Sequence, residues 1–214
     1  MFLCKPDNRK WLIVTGGLLA VIITLSVILA VTLSGRASGA SGARDPANLR
    51  QAVDSIDGIP LFTAYIPEDS PGRPGVLRTV ESITIHETAN TSEGADAEAH
   101  SDYLSTTSDE VSWHYTVDDH QIYRHLPDNE EAWHSGDREG NHSSISIELC
   151  VNADGNFDQT MENAAKLTAF LLKEYDLTID DVKQHYDFNG KDCPLIIRQE
   201  GRWDEFLGMV QQNL

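Results

Sequence analysis

His185 and Cys193 stand eight residues apart in His185-Tyr-Asp-Phe-Asn-Gly-Lys191-Asp-Cys193-Pro194, with a lysine between them. Asn189-Gly190 is a turn dipeptide, so the backbone can fold back and bring the imidazole and the thiol to one point. Neutral imidazole and thiolate are the ligands zinc prefers, at roughly 2.0–2.3 Å. A structural zinc site takes four protein ligands, usually as two close pairs, and no Cys-x-x-Cys or His-x-x-x-His occurs elsewhere in the chain. A metal bound here needs a third ligand from far along the sequence, which leaves the fourth position open for water. That is the layout of a catalytic zinc site rather than a structural one.

Eight histidines are available, and any one alone is more often a hydrogen-bonded or surface residue than a ligand. His86 is set apart by its element. Glu81-Ser-Ile-Thr-Ile-His86 alternates with the strand period, Ile83 and Ile85 on one face, Ser82, Thr84 and His86 on the other. The alternation stops at His86, placing it at the C-terminal end of a predicted central strand, where ligands of open α/β sheets commonly bind. Ser143 to Val151 is the clearest strand, with Ile145, Ile147, Leu149 and Val151 facing one way and Ser144, Ser146, Glu148 and Cys150 the other. A carboxylate in mid-strand must be paired, hydrogen-bonded or at a cleft, because burying it without a partner is costly. Parity alone does not bring Glu148 to His86.

The elements that must hold these residues follow from pattern. Ala95–Leu104 reads as a helix, Val111–Val117 and Ile122–Leu126 as strands turning at Asp118-Asp-His-Gln121. The strongest helix runs from Asp158, its expected cap, to Tyr175, with an apolar stripe through Met161, Ala164, Ala165, Thr168, Leu171 and Leu172. Asp180–Lys183 leads into the His185 loop, and Arg202–Gln211 reads as a closing helix. Leu49–Ser55 reads as a short helix, and Ile59–Val76, with four prolines, as irregular backbone.

Residues 11–33 are 23 positions without a charge, about 34 Å as a helix, enough to cross a hydrocarbon core of roughly 30 Å. Lys5, Arg9 and Lys10 precede them, which predicts a cytoplasmic segment 1–10 and an exported remainder. A signal core is typically about 7–15 apolar residues, so an uncleaved signal-anchor is expected; cleavage near Ser38-Gly39-Ala40 is the alternative. Residues 34–48 are a Gly/Ala/Ser linker, and residues 49–214 form the expected domain. The formal net charge is −18, and beyond residue 36 there are 12 basic and 33 acidic side chains. Such a surface repels nucleic-acid backbones, which argues against a nucleic-acid partner. Of three cysteines, Cys4 precedes the apolar run; a buried free thiol at Cys150 is preferred over a Cys150–Cys193 disulfide.

Five segments together resemble one family: Ile83-Thr-Ile-His86-Glu-Thr-Ala-Asn90, Ser112-Trp-His-Tyr-Thr-Val117-Asp-Asp119, Ala132-Trp-His-Ser-Gly136, Ile145-Ser-Ile-Glu148-Leu-Cys150 and His185…Lys191-Asp-Cys193-Pro194. They are similar to the zinc-dependent N-acetylmuramoyl-L-alanine amidases, the phage and bacillus lysins related to T7 lysozyme and the animal peptidoglycan recognition proteins. The likeness covers about residues 59–205 in the family's order and spacing. It implies an α/β fold with a central mixed β-sheet flanked by helices, and Zn2+ held by His86, His185 and Cys193. It implies that Glu148 moves protons to and from water and leaving amine, and that Lys191 stabilises the developing oxyanion; an exposed loop cation is the plainer reading of Lys191. The substrate implied is peptidoglycan, cut between N-acetylmuramic acid and L-alanine outside the cell membrane. T7 lysozyme carries a catalytic tyrosine where this chain has Trp113, which points to packing there; His114, Trp133 and His134 are expected to line or support the groove, or to lie in the core. The rivals are a non-catalytic peptidoglycan-binding module and a zinc hydrolase of another amide.

Overall fold

The computed structural model describes residues 54–214. The predicted membrane segment 11–33, its flanking segments 1–10 and 34–48, and residues 49–53 lie outside them. Among the described residues no helix is long and apolar enough to cross a membrane.

A seven-stranded mixed sheet runs through these residues in the order β1-β2-β5-β4-β6-β3-β7. The strands are β1 Asp54–Ile56, β2 Ile59–Thr63, β3 Ser82–Glu87, β4 Tyr115–Val117, β5 Ile122–Arg124, β6 Ser144–Leu149 and β7 Val182–Gln184. The helices are α1 Ala97–Thr106, α2 Arg138–Ser143, α3 Phe157–Glu174, α4 Tyr186–Asn189, α5 Leu195–Gln199 and α6 Trp203–Gln212. β3, β4, β6 and β7 run parallel to their neighbours within that group, while β1–β2 and β4–β5 are antiparallel. The expected mixed sheet flanked by helices is therefore present.

Alternation along the central strands divides the molecule. Ile83, Ile85, Ile145, Ile147, Leu149 and Val117 are wholly buried on one face. They meet Met161, Ala164, Ala165, Leu167, Leu171 and Leu172 of α3, with Phe206 and Val210 of α6 closing the same core. Each fully buried aliphatic side chain contributes about 1.5–3 kcal/mol. Smaller clusters lie elsewhere, Ala97 with Tyr123 and Cys150, and Leu104 with Trp113, Leu126 and Ala132. The second face of β3 and β6 is polar: Ser82, Thr84, His86, Ser144, Ser146 and Glu148.

Several expectations need correcting. Asp54 and Ser55 lie in β1, not in a helix, because Asp54 pairs with Leu61 and Ile56 with Ile59 across the turn at Asp57 and Gly58. Ile59–Thr63 is a strand in spite of Pro60, which is paired with Ser55 of the edge strand β1. The helix α3 is capped not by Asp158 but by Asn156, whose side chain accepts from Gln159 N; Asp158 instead takes a hydrogen bond from Arg202 at 2.8 Å. β4 covers only the last three residues of the predicted strand 111–117. Its earlier part leaves the ladder, and Ser112 N–H donates to Trp133 O. Asp180–Lys183, expected only to lead into the loop, runs into the seventh strand, Val182–Gln184, which pairs with Ile83–Ile85.

Candidate metal and hydrolytic centre

The parallel register decides where the site residues meet. β3 lies beside β6 with His86 opposite Glu148, and β4 lies on the other side of β6 with Thr116 opposite Glu148. His86 and Glu148 thus share the polar face at the C-terminal ends of neighbouring strands, with His86 Nδ1 3.9 Å from Glu148 Oε1. β7 delivers His185 from the other side of β3, and His185 N–H donates to Ile85 O.

Beyond His185 the chain makes one helical turn, α4. Asp187 accepts from Gln184 N at its start, and Gly190 ends it with φ 78°. That left-handed conformation is the one glycine adopts without strain. Lys191 N–H then donates to Asn189 Oδ1, and Tyr186 N–H donates to Cys193 O, which closes the loop and returns Cys193 to His185. The turn expected at Asn189-Gly190 does the work assigned to it.

His86 Nδ1 lies 3.0 Å from His185 Nδ1 and 3.8 Å from Cys193 Sγ. One ligand atom from each of the three lies within 4.8 Å of the others, and the group could hold a metal ion. All three side chains are buried. Burial and the neighbouring imidazoles of His134 and His185 hold His86 well below its ordinary pKa, and burial with the charge of Lys191 lowers His185, so both shifts favour the uncharged ring. Burial pushes the Cys193 thiol up to about 12, with Glu148 adding to the rise.

Glu148 is enclosed but not sealed, its side chain 14 % exposed. Burial pushes its carboxyl up to about 8; Lys191 pulls the other way and Glu87 adds to the rise. Its Oε2 is buried and has no hydrogen-bond partner in the protein. Lys191 is exposed, as the plainer reading of it requires, yet its charge is felt at Glu148, His86, His185 and Cys193.

Among the other expectations, Cys150 and Cys193 are both buried free thiols, so no disulfide joins them. Trp113 is buried and its Nε1–H donates to Thr116 Oγ1 at 2.7 Å, a packing role. His114 is wholly buried away from the ligands, fixed to Ser146 and Glu130 O. His134 touches His86, with Nδ1 2.9 Å from His86 Nε2. From the end of β3, Thr88 and Asn90 lead into a depression of about 370 Å³ whose other walls include His100, Tyr103 and Trp113.

A model of the N-acetylmuramoyl-L-alanine amidase family matches residues 76–195. The chain belongs to this family. Two of its relatives in Bacillus subtilis (strain 168) are named N-acetylmuramoyl-L-alanine amidase, XlyA at 45% identity and CwlH at 40%. These alignments cover 69% of this chain and 50% of XlyA, and 70% and 60% for CwlH, so the chain spans about half the length of the curated relatives it matches. The solved catalytic domain of XlyA aligns over 71% of this chain and 99% of its own, at 42% identity and TM-score 0.69. The solved structure of PlyL aligns over 73% of this chain and 98% of its own, at 31% identity and TM-score 0.66.

Two residues of this family member escaped the sequence reading. Glu87, 6% exposed, accepts backbone N–H groups of Ile196 at 2.7 Å and Ile197 at 3.0 Å, which ties the end of β3 to the helix that follows Cys193-Pro194. Ser135 accepts at its carbonyl from both His185 Nε2 and Asn189 Nδ2. The signal for Glu87 was its place directly after His86, but a carboxylate at the end of a strand is ordinarily a solvated one. Ser135 acts through its backbone, which leaves no mark in side-chain chemistry.

Proposed function

We propose that this chain is a zinc-dependent peptidoglycan hydrolase that cuts the amide bond between N-acetylmuramic acid and L-alanine. The observation that carries the reading is the meeting of His86 Nδ1, His185 Nδ1 and Cys193 Sγ beside the Glu148 carboxylate, whose Oε1 lies 3.9 Å from His86 Nδ1 and whose Oε2 no protein group satisfies. The donor set fits zinc. Tetrahedral bonds of zinc to imidazole and thiolate place nitrogen atoms about 3.3 Å apart and nitrogen about 3.6 Å from sulfur. The separations of 3.0 and 3.8 Å bracket those values. His185 Nε2 must carry its proton, because Ser135 O can only accept, so the Nδ1 lone pair is free for the metal.

Zinc held by His86, His185 and Cys193 would supply a Lewis acid that polarises the scissile carbonyl and brings the pKa of the attacking water from about 15.7 toward about 7. Glu148 takes a proton from the attacking water and returns it to the departing amine of L-alanine. Lys191, on the exposed side of the same loop as Cys193, places an ammonium where negative charge develops on the carbonyl oxygen. The depression walled by the exposed ring of Tyr103, which stacks on the buried Trp113, receives part of the muramyl peptide.

Residues 11–33 anchor the chain in the cell membrane as one uncleaved span, residues 1–10 lie in the cytoplasm, and the linker 34–48 presents the 49–214 domain to the wall. The uncharged 23-residue run and the basic residues before it support this placement. Digestion of purified cell wall, scored for new N-terminal alanine, tests the activity. Release that stops with a chelator and returns with Zn2+ is expected. Wall binding without new alanine termini would instead mean a recognition module, and cleavage of other amides alone would mean a different hydrolase.

A further inference from the structure

His134 is the polar neighbour of the three ligands that the hydrolytic scheme leaves without a task. Its ring stands edge-on to His86, centroids 5.0 Å apart at 87°. Its Nδ1 lies 2.9 Å from His86 Nε2, and its Nε2 lies 3.3 Å from Ser144 Oγ. Ser144 Oγ donates to Gly140 O at 2.8 Å and accepts from Thr84 Oγ1 at 2.6 Å. Gly140 O can only accept, which fixes the direction of every bond behind it. Ser144 gives its one proton to Gly140 O, so His134 Nε2 must donate to Ser144. His134 Nδ1 is then bare and must accept from His86 Nε2–H. That leaves His86 Nδ1 without a proton, on the side where His185 Nδ1 and Cys193 Sγ lie.

The ring is itself held in place. His134 N–H and Ser135 N–H both donate to Asn141 Oδ1, at 3.0 and 2.8 Å. A Cβ at Gly140 would meet Ser135 Oγ at 2.6 Å, so glycine lets α2 and this loop approach closely enough for the chain of bonds to form.

We propose that His134 is a positioning residue for the metal centre: with Ser144 as its proton acceptor, it selects the tautomer of His86 that leaves Nδ1 free and holds that ring at its angle to His185 and Cys193. The inference rests on the reading that these three side chains bind zinc. Partners of this kind on a ligating imidazole typically change metal affinity about 10–100-fold. The test measures the zinc dissociation constant of the full-length, metal-stripped chain by competition with a chromophoric chelator, together with the visible spectrum of the Co2+ form and the thermal midpoint without metal.

His134→Leu, which fills the space but accepts nothing, should weaken zinc by about 10–100-fold and shift the Co2+ bands. His134→Asn, which keeps an oxygen where Nδ1 sits, should recover most of the loss. Ser144→Ala removes the acceptor while leaving the ring, and should weaken zinc by a smaller factor; it decides the matter if His134→Leu does not fold. Parent protein that binds no zinc would end both this inference and the metal-dependent reading. Parent that binds zinc while His134→Leu binds within twofold of it, or His134→Asn loses as much as His134→Leu, or Ser144→Ala binds as the parent does, would end this inference alone.

Discussion

Replacing Glu87 with alanine tests whether the strand that carries His86 is coupled to the segment that carries Cys193. The Glu87 carboxylate takes two N–H groups from the first turn of α5, at 2.7 and 3.0 Å, and Ile197 is wholly buried. Hydrogen bonds to a charged group contribute about 1.5–3 kcal/mol each, so their gross loss is about 3–6 kcal/mol. Burial raises the pKa of Glu87, a sign that the charge costs energy where it sits, and truncation removes that cost. What truncation leaves is two N–H groups in the first turn of α5 without a partner, at about 1–3 kcal/mol apiece. The low end of that range, about 2–3 kcal/mol for the pair, is expected because the buried charge goes too, or a fall of about 4–12 °C in Tm for a domain of this size. Glu87→Gln keeps one accepting oxygen and should fall by about half as much. Calorimetry on the metal-free chain reads the stability, and chelator competition reads zinc affinity, which should drop in the same order. Glu87→Ala melting within about 1 °C of the parent would mean that α5 docks without the carboxylate, and the coupling argued here would be wrong.

Glu148→Ala should abolish release of N-terminal alanine from cell wall while zinc and wall binding persist; retained turnover removes Glu148 from the chemistry. Lys191→Met should lower kcat about 10²-fold, the usual loss for one oxyanion-stabilising group, and leave Tm unchanged because the side chain is exposed; an unaltered kcat would reduce Lys191 to a loop cation. Ile147→Ala, at a fully buried position of β6, should cost about 2–5 kcal/mol in urea unfolding. A cost below about 1 kcal/mol would show that α3 and the sheet collapse around the gap.

How much of this was legible depended on how local the cause was. The apolar stripe of α3 and the alternation of β3 and β6 are written in side-chain period, and all three elements lie within two residues of their predicted limits. The His185–Cys193 loop was legible because Asn189-Gly190 announces its turn in sequence. β7 was not: three residues carry too little pattern, and Val182–Gln184 is a strand because β3 offers it an unpaired edge. β1 and β2 failed for the same reason, since pairing across a tight turn outweighed both helix propensity and Pro60. At the site, residue type and strand position pointed to His86, His185, Cys193 and Glu148. Glu87 and Ser135 matter here through what they touch 109 and 50 residues away, which no local pattern encodes.

The juxtaposition of His86 and Glu148 is in the end a matter of register, and two separate forces guard it. Sliding β6 by one residue against β3 would turn Ser144, Ser146 and Glu148 into the apolar core and push Ile145, Ile147 and Leu149 onto the polar face. At about 1.5–3 kcal/mol for each aliphatic group, that slip is prohibitive. A slip of two residues keeps every side chain on its face, so the core is blind to it, yet it would carry Glu148 about 6.6 Å along the strand from His86. Polar contacts resist that error. Ser146 N–H donates to His114 Nδ1 and His114 N–H donates to Ser146 Oγ, both at 3.1 Å, while Thr84 Oγ1 donates to Ser144 Oγ. Buried groups left unpaired by the shift would cost about 1–3 kcal/mol apiece. The apolar face therefore selects which side of the sheet becomes the site, and the buried serines and His114 select which residues on that side face one another.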